Sequence, residues 1–300
     1  MSISRQNLSI VIVTLKSENV INKCIESIDK EIPIIVIENS NNFKFKEYLE
    51  KTYNNVKCIL SNKNLGMGSG NNVGIEYSKT DYVLILNPDV ILENNTIKEL
   101  IEASKIINDF EILSPISNNK DYPNYKFENN NEKNFEMNLP FKVKSVDGFA
   151  MLLNKKKINI IINNESLNKK KYFDESFFMY LENDDLCKRI IENKGKIYVA
   201  PKASIKHLGA KAVDSKYLNE VEYSRNWHWI WSKFYFNKKH FGFLKAFIDG
   251  APKFFLTIFK YLFYLVINNK IKKKIYLNRI SGFYHAFIGN PSWYRPNLDD

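Results

Sequence analysis

The stretch Tyr82-Val-Leu-Ile-Leu-Asn87-Pro88-Asp89-Val90 decides the fold of this 300-residue chain. An unbroken apolar run is typical of a strand whose two faces are both buried, as in a parallel sheet. The first polar residues after such a strand lie where open α/β sheets bind their ligands. Asp89 is therefore a candidate metal ligand, although Asn, Pro and Asp also favour an ordinary β-turn.

Three further strands are predicted before this one, at residues 8–14, 34–37 and 57–60. Apolar residues at helical spacing lie between strands. Strands that alternate with helices predict an α/β fold with a doubly wound, mostly parallel sheet. We expect the carboxyl ends of the four strands to form one polar crevice, lined by Thr14, Glu38, Asn62 and Asp89.

Most of the positive charge lies near the carboxyl end. Of the net charge of +11, residues 225–300 supply about +10, from thirteen Lys or Arg and three Asp or Glu, and they hold all four tryptophans. We therefore predict a catalytic domain over residues 1–224 and a basic, aromatic, helical region over residues 225–300. No recognised nucleic-acid-binding motif accompanies the charge, so nucleic acid is not an expected partner.

The cysteines indicate a reducing compartment. Cys24, Cys58 and Cys187 have neither paired nor metal-type spacing, and the chain begins without a charged-then-apolar export segment. A cytoplasmic protein is the expectation.

Three closely spaced glycines, Gly66, Gly68 and Gly70, suggest a nucleotide-binding loop. The dinucleotide fingerprint belongs to the first strand-to-helix turn, and that turn, residues 14–18, has no glycine, so a nicotinamide or flavin domain is not expected. The glycines are instead expected to let the backbone approach a nucleotide. A structural turn that opens the next helix is the alternative.

The middle of the chain has weaker signals. From about 108 to 142 the periodicity is lost and Asn, Lys, Pro and Tyr are frequent, which predicts an irregular loop. Residues 143–153 are predicted to form one strand with a kink at Gly148.

A second constellation is Glu182-Asn183-Asp184-Asp185, at the start of a predicted helix. Acidic residues stabilise a helix amino end, so capping is one interpretation. Three carboxylates in four residues exceed what a cap requires. One of them is therefore a candidate general base. His207 taken alone is more typical of a structural histidine.

Together these residues resemble the inverting family 2 glycosyltransferases with the GT-A fold, and most closely the rhamnosyltransferase-like branch. The resemblance covers about residues 8–240. The motifs that carry it follow the family's order: Ile10-Val-Ile-Val-Thr14, Val36-Ile-Glu38-Asn39-Ser40, the Asn/Gly-rich loop from Asn62 to Gly74, Asn87-Pro88-Asp89, Val146-Asp147-Gly148, the block from Phe173 to Leu186, and His207.

The resemblance implies a nucleoside-diphosphate sugar as donor and a divalent cation, Mn²⁺ or Mg²⁺, as cofactor. It implies Asp89 and His207 as metal ligands and a carboxylate at 182–185 as the base that deprotonates the acceptor hydroxyl. The residues expected to bind the nucleotide sugar are Thr14, Glu38, Asn39, Asn62, Asn64, Gly66, Asn71, Asn72, Asn87, Asp89, Asp147 and Gly148.

The chain departs from the family pattern at three positions. Glu38 stands where an aspartate is usual, and Asn87 replaces the first acid of the DXD-type element. Asn183 occupies the position of the usual base, and an amide cannot take a proton. The base is therefore expected to be a neighbouring carboxylate, with Asp184 favoured over Glu182 and Asp185.

The expected reaction is the transfer of a sugar, such as the deoxysugar rhamnose, to a lipid-linked or cell-envelope glycan. Two alternatives stay open. A catalytically inactive nucleotide- or sugar-binding homologue would bind nucleotide without turnover, and a nucleotidyltransferase with a similar sheet would release pyrophosphate from a nucleoside triphosphate.

The segment Phe254–Ile267 has fourteen mostly apolar residues and includes Lys260, which is too short for a membrane span. With Lys272, Lys273, Lys274 and Arg279 after it, the segment is expected to lie on an anionic membrane surface, at the cytoplasmic face of the inner membrane. A core helix packed against the catalytic domain is the alternative.

Overall fold

The computed structural model describes residues 3–119, 122–127, 138–164, 171–209 and 213–298. The chain divides into two compact units. The first, here called the sheet unit, comprises residues up to Asp174 and Asn183–Asp214, and the second, the helical unit, comprises Glu175–Glu182 and the residues from Ser215 onward.

The strands are β1 (Leu8–Thr14), β2 (Ile34–Glu38), β3 (Val56–Leu60), β4 (Tyr82–Leu86), β5 (Val90–Leu92), β6 (Ile112–Ser117), β7 (Tyr125–Lys126), β8 (Phe141–Lys142), β9 (Ser145–Val146), β10 (Ala150–Asn154) and β11 (Ile197–His207). The first six helices are α1 (Ile21–Glu26), α2 (Phe43–Thr52), α3 (Met67–Tyr77), α4 (Thr96–Ile107), α5 (Lys155–Asn164) and α6 (Glu182–Glu192). Short 3₁₀ helices form at Arg5–Asn7 and Ser215–Tyr217.

The described strands form a sheet in the order β3-β2-β1-β4-β10-β6-β11-β5, with β8 also paired to β11. The strands β3, β2, β1 and β4 are parallel, and they are the four strands predicted from the sequence. Strand β10 is antiparallel to both β4 and β6, while β6 and β11 run parallel. The predicted α/β class with a doubly wound sheet is confirmed, with the antiparallel strands added beyond β4.

Strand β1 shows why the unit folds as two layers of helices on one sheet. Ile10 and Ile12 pack into the core on one face, while Val11 and Val13 pack into the core on the other. All four are at most 2% exposed. Full burial of such a side chain stabilises the fold by about 1.5–3 kcal/mol, so an uninterrupted apolar strand specifies a sheet covered on both sides.

The prediction of an irregular loop from 108 to 142 is wrong at three places in the described part of that region, where β6, β7 and β8 form. Strands β6 and β8 belong to the large sheet, and β7 pairs with β9 in a second sheet of two strands. Residues 120–121 and 128–137 of the predicted loop lie outside the described residues.

The prediction of a single kinked strand at 143–153 is also wrong. This segment forms two strands, β9 and β10, joined by a turn at residues 147–149. The two strands pair in different sheets, and this separation turns the chain at Asp147.

The helical unit consists mainly of α7 (Leu218–Phe241), α8 (Phe243–Val266) and α9 (Lys270–Phe287). Gly242 has φ +85° and separates α7 from α8. The three helices pack around a cluster that includes Trp227, Trp231, Phe234 and Phe283. Across the described ranges, no helix combines the length and the apolar character that a membrane crossing requires.

The apolar segment predicted at 254–267 is part of a longer helix, since α8 has 24 residues. The residues of α8 that pack inward include Ala246, Phe254 and Thr257. The opposite face is apolar and exposed, with side chains at helical spacing: Leu244, Ile248, Phe255, Phe259, Leu262 and Val266.

Candidate active site

The parallel register brings the predicted strand-end residues to one edge of the sheet. Thr14 of β1 lies opposite Glu38 of β2, and Ile12 of β1 lies opposite Leu86 of β4. The connection from β4 to β5 therefore begins beside the end of β1. This edge is the carboxyl end of the parallel strands, where ligands bind in open α/β sheets.

Asp89 lies in the connection between β4 and β5 and is 2% exposed. Its Oδ1 atom accepts no hydrogen bond from any described residue. A buried carboxylate oxygen without a donor costs about 1–3 kcal/mol or more. Such an atom is suited to a cation that satisfies it.

The thiol of Cys24 lies close enough to Asp89 to be affected by its charge. Burial raises the pKa of the Cys24 thiol, and the Asp89 carboxylate raises it further. The buried Cys24 thiol therefore lies near the Asp89 carboxylate.

His207 reaches Asp89 through a strand pairing. The end of β11 runs antiparallel to β5, which places His207 opposite Val90, the residue after Asp89. The His207 Nε2 atom is 3.4 Å from Asp89 Oδ1. The imidazole also stacks on the Phe149 ring at a centroid distance of 4.1 Å. The pair predicted as metal ligands is thus brought together and held in place.

Asp147 lies in the turn between β9 and β10 and is half-buried. Burial raises its pKa above the ordinary value. Lys126 opposes this shift, the carboxylate of Asp184 adds to it, and His207 opposes it. Asp147 therefore lies within electrostatic range of both the α6 acids and the Asp89–His207 pair.

The acids of α6 differ in their surroundings. The helix begins at Glu182, directly after Tyr180 and Leu181, which have φ values of +70° and +67°. Asp184 forms an ion pair with Lys126, with 3.1 Å between Asp184 Oδ1 and Lys126 Nζ. The Asp184 side chain is 18% exposed. Two consecutive non-glycine residues in the left-handed region are uncommon and mark a constrained entry into the helix.

Asp185 faces the interior. Its side chain is 0% exposed and accepts a hydrogen bond from Arg189 Nε at 3.0 Å, one helical turn later. The Arg189 guanidinium also donates to the Tyr172 carbonyl. These contacts are those of a buried structural ion pair.

Asn183 contacts the turn that carries Asp147. Its Nδ2 atom donates to the Val146 carbonyl at 2.9 Å. A Cβ added at Gly148 would come 3.2 Å from the Asn183 Cβ. Asn183, which replaces the usual base, therefore fixes the position of the Asp147–Gly148 turn relative to α6.

Glu38 and Thr14 are fully buried at the ends of β2 and β1. The Glu38 carboxylate accepts backbone N–H groups from Ser40 at 2.9 Å and Asn42 at 2.6 Å. Thr14 Oγ1 donates to the Ile37 carbonyl at 3.3 Å. Both residues thus organise the turn after β2.

The Asn/Gly-rich loop is held by side-chain amides. Gly66, the residue just before α3, has φ +81°, a conformation that favours glycine. Its N–H donates to Asn64 Oδ1 at 3.1 Å, and its carbonyl accepts from Asn39 Nδ2 at 3.2 Å. Asn62 is exposed at the loop tip with φ +61°.

The first turns of α3 combine packing and polar groups. Asn72 exchanges two hydrogen bonds with the Phe173 backbone, at 2.8 and 2.9 Å. Asn71 is buried, and its Oδ1 atom has no hydrogen-bond partner among the described residues. A Cβ on Gly70 would meet Val13 at 2.9 Å, so this glycine lets α3 pack on β1. Its approach to a nucleotide stays a prediction.

Sequence reasoning missed Lys126, Phe149 and Asn124. Lys126 lies in the stretch interpreted as irregular, where a two-residue strand leaves no periodicity. Asn124 is buried, and its carbonyl accepts the Asp147 N–H at 2.9 Å. Phe149 follows the Asp147–Gly148 motif directly, so its place in the sequence was the one available signal.

The donor set available for a metal is small. Across the described ranges, no three His, Cys, Asp or Glu side chains form a metal-binding cluster. Asp89 and His207 form a pair, with one buried carboxylate oxygen that lacks a hydrogen bond. Magnesium is commonly held by one or two protein groups together with substrate phosphates, so the residues present fit a metal that is shared with a diphosphate.

Residues 9–179 match the sequence profile of Glycosyl transferase family 2, and the chain belongs to that family. The low-salt glycan biosynthesis hexosyltransferase Agl10 of Haloferax volcanii is 30% identical over 199 residues. That match covers 61% of this chain and 61% of the relative.

Solved structures share the fold. GalNAc-T7, crystallised with UDP, GalNAc and Mn²⁺, has a TM-score of 0.53 and 14% identity over 67% of this chain and 43% of its own. TarS of S. aureus has a TM-score of 0.52 and 14% identity over 94% of this chain and 55% of its own. These likenesses establish the GT-A-type fold with its helical carboxyl-terminal region.

Proposed function

We propose that the protein is an inverting glycosyltransferase that moves a sugar from a nucleoside-diphosphate sugar to a lipid-linked or cell-envelope glycan. The rhamnosyltransferase-like motifs favour a deoxysugar donor. One observation carries the proposal: the buried Asp89 Oδ1 atom lacks a hydrogen bond and lies 3.4 Å from His207 Nε2 at the carboxyl edge of the sheet. This is a site for a cation next to a bound diphosphate. The UDP and Mn²⁺ in the GalNAc-T7 structure agree with this interpretation.

Asp89 and His207 would hold a Mn²⁺ or Mg²⁺ ion. When bound, such an ion offsets the charge that develops on the departing diphosphate. The stacking of His207 on Phe149 fixes the imidazole ring, and the burial of Asp89 keeps its carboxylate out of bulk water. Glu38 and Thr14 order the turn beside the nucleotide, and the amides around Gly66 order the loop beneath the donor.

The base is assigned to Asp184. It accepts the proton of the acceptor hydroxyl while that oxygen attacks the anomeric carbon from the face opposite the diphosphate, and one such displacement inverts the centre. Asp185 is less suited because its carboxylate is fully buried against Arg189. Glu182 stays the second choice.

The helical unit supplies the proposed membrane contact, at the cytoplasmic face of the inner membrane. Side chains such as Phe255 and Phe259 on α8 are 67% and 69% exposed. Lys272 and Lys273 at the start of α9 are exposed or half-buried and add positive charge. Apolar insertion and attraction to anionic headgroups reinforce each other on such a surface.

The direct test is a thermal-shift screen of nucleotides with and without manganese, since selective binding stabilises the folded state. A nucleoside diphosphate should raise the melting temperature, and more strongly with Mn²⁺. Equal melting temperatures with and without every nucleotide would contradict the proposal.

Asn183 favours a second candidate, a homologue that binds nucleotide sugar without turnover. Product analysis separates the two, because only the enzyme releases a nucleoside diphosphate from the nucleotide sugar. Release of pyrophosphate from a nucleoside triphosphate would instead identify a nucleotidyltransferase.

A further inference from the structure

The helical unit contains a cleft that the proposed transfer reaction does not use. It lies between α7, α8 and α9 and is open to solvent. Phe234, Phe254 and Phe283 form apolar walls. Three cationic side chains also line it: Lys233, Lys253 and Arg279.

The lining of the cleft carries more positive than negative charge, with Lys233, Lys253 and Arg279 against the carboxylate of Asp249. Asp249 also lines the cleft. Its Oδ1 atom accepts from Lys245 at 2.9 Å, and its Oδ2 atom accepts from Asn237 at 3.3 Å. Both oxygens are therefore engaged by other groups.

Two of the cations are held close together. Burial lowers the pKa of Lys233, and the charge of Lys253 and a contact between the two side chains lower it further, while Asp249 opposes the shift. Like charges that share a partly buried site destabilise each other, and an anion between them relieves that repulsion. The arrangement is one that a bound anion would stabilise.

Arg279 adds a directional group. Its Nε atom donates to Asn226 Oδ1 at 2.6 Å, which fixes the plane of the guanidinium. A guanidinium presents donors in a fork that matches the oxygens of a phosphate. The helix N-terminus at Asn269 is not involved, because Arg279 lies well inside α9.

We infer that this cleft binds a phosphate group, held by Lys233, Lys253 and Arg279. Phenylalanine rings lie beside the cations in the lining of the cleft. A lipid headgroup and a soluble phosphate share this chemistry, and the exposed apolar face of α8 makes the lipid the source to test first.

The test uses the full chain and two soluble probes, inorganic phosphate and a short-chain phosphatidic acid kept below its micelle concentration. Isothermal titration calorimetry measures the affinity of each probe. The variant Lys233→Gln/Lys253→Gln removes two cleft cations. The matched control Lys51→Gln/Lys98→Gln removes the same charge from exposed lysines of α2 and α4, outside the cleft.

The cleft variant should bind the probes at least tenfold more weakly than the wild type, and the control should bind within twofold of it. Tighter binding of the phosphatidic acid than of phosphate identifies a lipid source, and equal affinities identify a soluble one. Equal weakening in both variants, or no binding to the wild type, overturns the inference.

Two further measurements keep the result independent of folding and of the candidate active site. Lys253 is exposed on α8, so Lys253→Glu should fold and should abolish binding, whereas Lys98→Glu on α4 should not. Because the proposed nucleotide site also attracts phosphate, each titration is repeated with Asp89→Ala, in which the difference between cleft variant and control should persist. Loss of that difference overturns the inference and leaves the proposed transferase function intact.

Discussion

The sheet unit and the helical unit use their polar and apolar residues in opposite ways. The sheet unit buries its parallel strands on both faces and collects buried polar groups at their carboxyl edge, where Asp89 is 2% exposed. The helical unit packs one side of α8 and exposes the other, where Phe255 and Val266 are 67% and 83% exposed. In the sheet unit, the proposed ligand contacts are made by a few buried polar atoms. In the helical unit, the proposed membrane contact is made by many exposed apolar side chains.

This difference predicts how each unit responds to substitution. When one buried charged group holds a ligand, removing that group should abolish binding of the ligand. An apolar surface sums many similar contributions, so one substitution should weaken it in proportion to the area lost.

Asp89→Ala should abolish metal-dependent nucleotide binding without unfolding the protein. The substitution removes the buried carboxylate that lies 3.4 Å from His207 Nε2. Nucleotide titrations with and without Mn²⁺ measure the effect. The control is Asp81→Ala. Asp81 is exposed and lies just before the amino end of β4, so this variant should bind nucleotide normally. Unchanged metal-dependent affinity in Asp89→Ala would remove the metal assignment.

Asp184→Asn should lower turnover by roughly a hundredfold or more, because it removes a proton acceptor and keeps the side-chain size. The melting temperature should stay close to that of the wild type.

Asp185→Asn provides the contrast on the same helix. It removes the negative charge that faces Arg189, and breaking a buried ion pair costs about 3–5 kcal/mol of stability. Full turnover in Asp184→Asn would shift the base to Glu182 or Asp185. Full turnover in amide variants of all three would argue against a carboxylate base in this segment.

Phe259→Ser should weaken binding to anionic vesicles by about tenfold, since a fully buried phenylalanine contributes about 1.5–3 kcal/mol. Sedimentation with anionic and zwitterionic vesicles at low and high salt measures this. Ile106→Ser on α4, where Ile106 is 58% exposed, is the control and should bind normally.

The charge contribution is tested with Lys272→Gln/Lys273→Gln, each lysine being worth about 1 kcal/mol near an anionic surface. Lys274 is left in place because it pairs with Glu220 at 2.9 Å. If the intact protein ignores anionic vesicles at low salt, α8 is a packing or protein-partner surface.

The smallest effect concerns His228 in the helical unit. Its Nε2 atom lies 2.8 Å from the Tyr294 carbonyl and its Nδ1 atom lies 3.0 Å from Ser292 Oγ. Burial lowers the pKa of His228 to about 3, opposed by the Tyr294 carbonyl and assisted by the charge of Arg295. The folded state therefore keeps this imidazole neutral.

The unfolded chain takes up a proton at His228 below pH 6.5, and the folded state does not. The contribution of His228 to stability should thus be constant above pH 6.5 and fall as the pH decreases, by at most about 1.4 kcal/mol per pH unit. Thermal unfolding at pH 7.5 and 5.5 measures this, and His228→Gln should reduce the loss. An identical loss in that variant would show that other groups cause it.

Several elements of the fold and the site were predictable from the sequence. Strands β1 to β4 are uninterrupted apolar runs, and such runs form buried strands wherever the chain places them. The start of α6 at Glu182 followed from the change from acidic to apolar residues. The pairing of β7 with β9 was not predictable, because strands of two residues have no periodicity and depend on partners elsewhere in the chain.

Local residue patterns were enough to predict strands β1 to β4 and the polar groups at their carboxyl ends, because hydrophobic spacing and strand ends are properties of neighbouring residues. Which of the adjacent acids Asp184 and Asp185 is accessible depended instead on tertiary packing. Successive residues on a helix point about 100° apart, so the packing of α6 buries Asp185 against Arg189 and leaves Asp184 beside Lys126. The same reason applies to α8, whose apolar residues surround the helix while α7 and α9 cover only one side.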